Sequence, residues 1–135
     1  MTDKEKNDLA DSLYPKAENR DYIYSIRIFE KEIPAPLDKD GNLRKDYIEA
    51  LEKSMHIGWF NNEEDAKSAV ECNAADMNEC GGFNYAIIEK IGWGVYISAS
   101  QRWLYRFNRE LRKYEELELP EHLKIKGSYD SFTYM

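Results

Sequence analysis

Two β-type segments on either side of an acidic, well-capped helix constrain this chain more than any other feature. His56-Ile-Gly-Trp-Phe60 and Phe83-Asn-Tyr-Ala-Ile-Ile-Glu-Lys-Ile91 are rich in branched and aromatic residues, which suit a pleated surface. Between them, Asn62 is a good N-cap, and Glu63, Glu64 and Asp65 put negative charge on the first helical turn, where the helix dipole favours it. Ala66, Ala69, Val70, Asn73 and Met77 recur at steps of three and four, one small-residue stripe. Gly81-Gly82 is the expected stop, so the helix is predicted over about 62–79.

The remaining elements follow in chain order. Residues 1–20 alternate charges without a sustained apolar face and are expected to form a flexible arm. Tyr22 to Phe29 is a strand whose two faces, Tyr22/Tyr24/Ile26/Ile28 and Ile23/Ser25/Arg27/Phe29, are both largely apolar, as in a sheet interior. Pro34 and Pro36 hold the next stretch extended. A short helix is expected from Tyr47 to Met55, with Tyr47, Ile48 and Leu51 inward. Gly92-Trp-Gly94 is a turn, with Tyr96 and Ile97 prolonging the pairing, and Arg102–Phe107 with Lys113–Leu117 reads as a β-hairpin. One helical turn is expected within 121–127, and the tail over 128–135 either docks or frays. The sum is an α+β fold: a single domain over 21–127, an antiparallel sheet of about five strands with one main helix packed on one face.

Composition narrows the function classes. A length of 135 residues, 42% hydrophobic and 13% aromatic, supports one packed core rather than disorder. No apolar run approaches the roughly 18 residues a membrane helix needs. Met1-Thr-Asp-Lys-Glu-Lys6 opens no apolar signal segment, so the cytosol is the expected compartment. Cys72 and Cys80, if on one helix, stand about 12 Å apart, beyond disulfide reach, and are expected as buried thiols. The net charge of −7 argues against nonspecific nucleic-acid binding. It is uneven: residues 61–80 hold six acids against Lys67, whereas residues 99–127 hold seven Lys/Arg against five Glu.

Catalytic and metal motifs are faint. Asp38 to Glu49 puts oxygen ligands at positions 1, 3, 5, 9 and 12 of a calcium loop, but Leu43 occupies position 6, which needs glycine, and prolines replace the incoming helix. A polar turn followed by a helix start accounts for those residues. His56 and His122 lack partners at zinc spacing, the serines occupy no strained elbow, and the glycines suit caps and turns. The expectation is therefore no catalytic residue, no metal and no cofactor. Two surfaces could bind. Trp103 and Tyr105, with Arg27, Trp59 and Arg102, could hold a small nucleotide by stacking and guanidinium forks, or the rings are core and the arginines solvated. Glu63, Glu64, Asp65, Glu71, Asp76 and Glu79 could imitate a phosphate row and occupy a basic groove on a partner, or form a solvated helix face.

Gly58-Trp-Phe60, Asn62-Glu-Glu-Asp-Ala66, Asn73, Asp76, Glu79 and Tyr85-Ala-Ile-Ile-Glu89, followed by the aromatic strand at Trp103 and the Tyr114-Glu-Glu116 return, carry a likeness. In that order they resemble small proteins borne by bacteriophages and mobile elements of Gram-positive bacteria, over roughly residues 55–120. The resemblance implies a non-enzymatic accessory protein acting in the cytoplasm of an infected bacterium. Its partner would be a host defence protein, such as a nucleic-acid-guided nuclease, or a small signalling nucleotide. The alternative is a structural, assembly or replication module, with homo-oligomerisation.

Overall fold

The structure, a computed structural model, describes Thr2 and residues 21–79, 81–92, 98–124 and 131–132. The arm over 1–20 apart from Thr2, Cys80, the turn tip at Trp93 with Tyr96 and Ile97, and most of the tail lie outside the described residues. Strands β1 (Tyr22–Phe29), β2 (Met55–Phe60), β3 (Tyr85–Gly92), β4 (Ser98–Asn108) and β5 (Lys113–Leu117) form one sheet in the order β2-β1-β3-β4-β5, with every neighbouring pair antiparallel. Helix α1 (Lys45–Lys53) precedes β2, and helix α2 (Glu63–Glu71) carries the chain from β2 across β1 to β3. Because β2 and β3 both run opposite to β1, they are parallel to each other, and β2–α2–β3 is a βαβ crossover with a strand inserted.

Alternation along the strands explains why both faces of this sheet are covered. Ile26 and Ile28 of β1, Ala86 and Ile88 of β3, Trp103 and Tyr105 of β4 and Tyr114 of β5 pack beneath Ala66 and Val70 of α2, with Met77 and Phe83. On the opposite face, Phe29, Ile87 and Leu104 pack against Ile33, Tyr47, Leu123 and Phe132, with Leu51 and Leu119 at the margin. The predicted interior strand is therefore interior, and the single helical layer becomes two. The second layer is assembled from α1, the proline-rich connector and the chain near the C-terminus. Tyr47 and Leu51 face this core as expected, whereas Ile48 is exposed.

Helix α2 is shorter than its stripe. Asn62 Oδ1 accepts the Asp65 amide at 2.8 Å, the predicted cap. The helix ends at Glu71, and Asn73 turns left-handed at φ 51°, a conformation asparagine tolerates better than most residues. A single 3₁₀ turn, Ala74–Asp76, follows, with Ala75 and Asp76 also at positive φ. Met77 nevertheless reaches the same core as Ala66 and Val70, so the stripe continues through a loop rather than a helix. Buried Asn78 holds this loop: its amide donates to Asn73 Oδ1 at 2.9 Å and its Nδ2 donates to the Phe83 carbonyl, which also accepts Tyr114 Oη at 2.8 Å. The early helix end also corrects the reading of Cys72, which is a free, exposed thiol at the C-cap.

Candidate functional site

The five residues expected to cradle a nucleotide do not share a surface. In β4, period-two alternation puts Trp103 and Tyr105 on one face and Arg102 on the other. Trp103 is 8% exposed and Tyr105 fully buried, both packed in the core that α2 covers, and Lys67 Nζ stands 4.8 Å from the Trp103 ring. Arg102 lies on the opposite face, where Nε donates to Glu89 at 2.9 Å, Nη1 donates to the Leu123 carbonyl, and the guanidinium sits 4.3 Å from the Phe132 ring. Arg27, half-buried on that same face, donates from Nη1 to Ser54 Oγ at 2.9 Å, and burial lowers its pKa. Trp59 alone of the five is exposed, at 60%, on the sheet-edge strand β2. The Trp103 and Tyr105 rings are core, but Arg27 and Arg102 are bonded within the protein rather than solvated.

The remaining hairpin arginines are solvent-facing: Arg106, Arg109 and Arg112 are exposed. Arg109 and Arg112 line a hollow of about 590 Å³ with Asn73, Asn78, Phe107 and Asp76. The Asp76 carboxylate places negative charge in that hollow, which weakens it as an anion site.

All six acidic residues, Glu63, Glu64, Asp65, Glu71, Asp76 and Glu79, are exposed. Neighbouring Asn and Lys side chains engage three of them. Asp65 accepts from the Asn62 side chain at 2.8 Å, Lys67 reaches Glu63 at 3.6 Å, and Asn73 donates to Asp76 at 3.3 Å. Ala66 and Val70 bury the inner side of α2, so its carboxylates are left outside.

A groove absent from the sequence reading lies where this acidic segment meets the sheet edge. Ile57, Gly58, Trp59 and Phe60 of β2 form one wall, Ala69, Ala74, Ala75 and Met77 the other, and Ile26 lies beneath. Asp76 and Glu79 complete the lining, and the volume is about 690 Å³. Trp59 pairs with Ser25, whose side chain lies on the face away from α2, so the ring stands out from the far side of this edge strand.

The motifs weighed for chemistry settle into local structure. Asp38 Oδ1 accepts the amides of Asp40 and Asn42, both at 2.9 Å, and Leu37 bridges Leu43, closing a polar turn. Among the described residues no three His, Cys, Asp or Glu side chains gather as metal ligands. His122 Nε2 donates to the Ile33 carbonyl at 2.7 Å, fastening the chain after Pro120 onto the connector. Burial, with Arg27 nearby, lowers the pKa of His56. Burial, reinforced by Glu116, Glu71 and Glu63, raises the Tyr105 phenol well above its ordinary range. Burial likewise pushes Tyr114 up to about 12, against the opposing hydrogen bond from Asn78. Both phenols stay protonated at neutral pH and serve packing.

The fold and the groove define a small α+β domain with a sheet covered on both faces and a carboxylate-rimmed apolar edge. No family model, curated protein or solved structure matches the chain. Among the described residues, no helix is long and apolar enough to cross a membrane.

Proposed function

We propose that the protein works by occupancy, as a phage-type counter-defence inhibitor that blocks a host immune effector in the bacterial cytoplasm and transforms no substrate. The observation that carries this reading is the exposure of six carboxylates, Glu63 through Glu79, two of which, Asp76 and Glu79, line the groove along the edge strand that carries the uncovered Trp59 ring. An acidic row with an aromatic neighbour complements a basic nucleic-acid channel: charge steers the encounter, and the ring supplies a desolvated anchor. The nucleotide-sequestering form loses support, because its five residues lie on opposite faces or in the core.

The test is inhibition of a nucleic-acid-guided nuclease that co-purifies from the natural host. Capture should weaken steeply with salt, and the E63Q/E64Q/E71Q variant should fold normally but fail to inhibit. Inhibition undiminished in that variant would refute the acidic-row reading. A second reading, an assembly module, is favoured by the apolar edge strand β2, and native mass spectrometry showing a stable homo-oligomer would support it.

A further inference from the structure

The two edges of the sheet are built differently. Strand β5 presents Lys113, Glu115 and Glu116, all exposed, and such charges discourage another strand from pairing there. Strand β2 reads Met55-His-Ile-Gly-Trp-Phe60 and contains neither Lys, Asp, Glu nor Pro. It pairs with β1 on one side, and among the described residues nothing pairs with its other side. One bulge, between Gly58 and His56, is its only irregularity. Met55, Ile57 and Trp59 are 40%, 37% and 60% exposed, an apolar display along an open backbone.

We propose that the outer edge of β2 receives an extended segment of a partner protein as an added strand, one in which basic residues alternate with apolar ones. The proposal rests on the reading that the chain acts by binding a basic protein, and it names the mode of contact. An added strand satisfies the open backbone groups of β2 and points alternate side chains to opposite faces. Alternation turns its basic residues to the groove side, where Asp76 and Glu79 lie. Its apolar residues then fall on the other face, beside Trp59, which pairs with Ser25 on the side away from the groove. A second copy of this chain fits less well. Pairing β2 with β2 would bring two molecules of net charge −7 together without contributing a basic partner for either rim. Charge complementarity therefore selects a basic segment.

The probe is a short fluorescein-labelled peptide alternating lysine with valine, read by anisotropy, with hydrogen exchange followed over residues 55–60. Binding should slow exchange across β2. It should weaken about tenfold in W59A, the loss of one interfacial aromatic anchor. In D76N/E79Q it should lose most of its salt dependence. A peptide N-methylated at alternate residues, unable to extend the ladder, should not bind. The proposal is overturned if the N-methylated peptide or a glutamate–valine peptide binds equally well, if residues 55–60 gain no protection, or if β2 is already shielded in a homodimer. E63Q/E64Q/E71Q should bind the peptide as the wild type does. Failure to bind the peptide, with nuclease inhibition intact, would thus sink strand addition alone, and peptide binding without inhibition would sink the inhibitor reading alone.

Discussion

Removing the Glu89 carboxylate should cost more stability than removing any exposed charge in this protein. Glu89 is 1% exposed and Arg102 6%, and their side chains meet at 2.9 Å between β3 and β4. The same carboxylate accepts the Phe132 amide at 2.9 Å and Ser131 Oγ at 3.3 Å, tying the chain near the C-terminus to the sheet. In E89A the guanidinium keeps the Leu123 carbonyl and the face of Phe132 but loses its counter-charge, and the Phe132 amide loses its acceptor. Breaking a buried pair from one side costs about 3–5 kcal/mol, a large part of the roughly 5–15 kcal/mol that holds a domain together. Replacing both partners, E89L/R102M, removes the stranded charge and should recover about 2 kcal/mol of that loss, although the Phe132 amide stays unpaired. Urea titration followed by circular dichroism measures both, with an unchanged denaturant slope certifying a comparable transition. A cost below about 1 kcal/mol for E89A at constant slope, or a double variant no more stable than E89A, would refute the reasoning.

Three further outcomes follow from individual side chains. Tyr105 Oη is buried without a hydrogen-bond partner among the described residues, so Y105F should be neutral or stabilising by up to about 1 kcal/mol in the same titration. Ala75 is exposed and held at φ 52°, a region that costs a β-carbon about 1 kcal/mol, so A75G should raise stability despite glycine's greater entropy when unfolded. The Tyr114 phenol titrates at about 12 in the folded chain and near 10 when unfolded. Its stabilisation is complete below about pH 10 and is lost as pH rises through 12, because the unfolded chain releases the proton first. Thermal melts across that window should fall with pH, less steeply in Y114F.

How far the sequence foretold this arrangement depends on the range of the interactions. The Asn62 cap was legible because it is a contact of three residues, and the interior position of β1 because both its faces are apolar. The second core was not, because Ile33, Tyr47, Leu123 and Phe132 come from separate short segments, none long enough to show a period. The end of α2 misled for a more instructive reason. Hydrophobic spacing reports what is buried, and Met77 is buried with Ala66 and Val70 whether a helix or a left-handed turn delivers it. Asn73 was the local sign of the break, since asparagine enters that conformation readily.

The site divides along the same line. Strand alternation alone assigns Arg102 and Trp103 to opposite faces, so the dispersal of the nucleotide constellation was implicit in the hairpin that suggested it. Burial of Glu89 against Arg102 required the β3–β4 register, and the groove required the 74–77 turn to sit above β2, neither of which is a local property. Edge status, in contrast, is a matter of composition once the strand order is known. A charged edge such as β5 resists company, whereas an edge of Met55, Ile57 and Trp59 leaves apolar surface and backbone groups open together. In a chain of net charge −7, the carboxylates rimming that edge make repulsion between copies the penalty for self-pairing. A basic strand would convert the same carboxylates into partners, so the features that discourage aggregation here are the ones that would select the ligand.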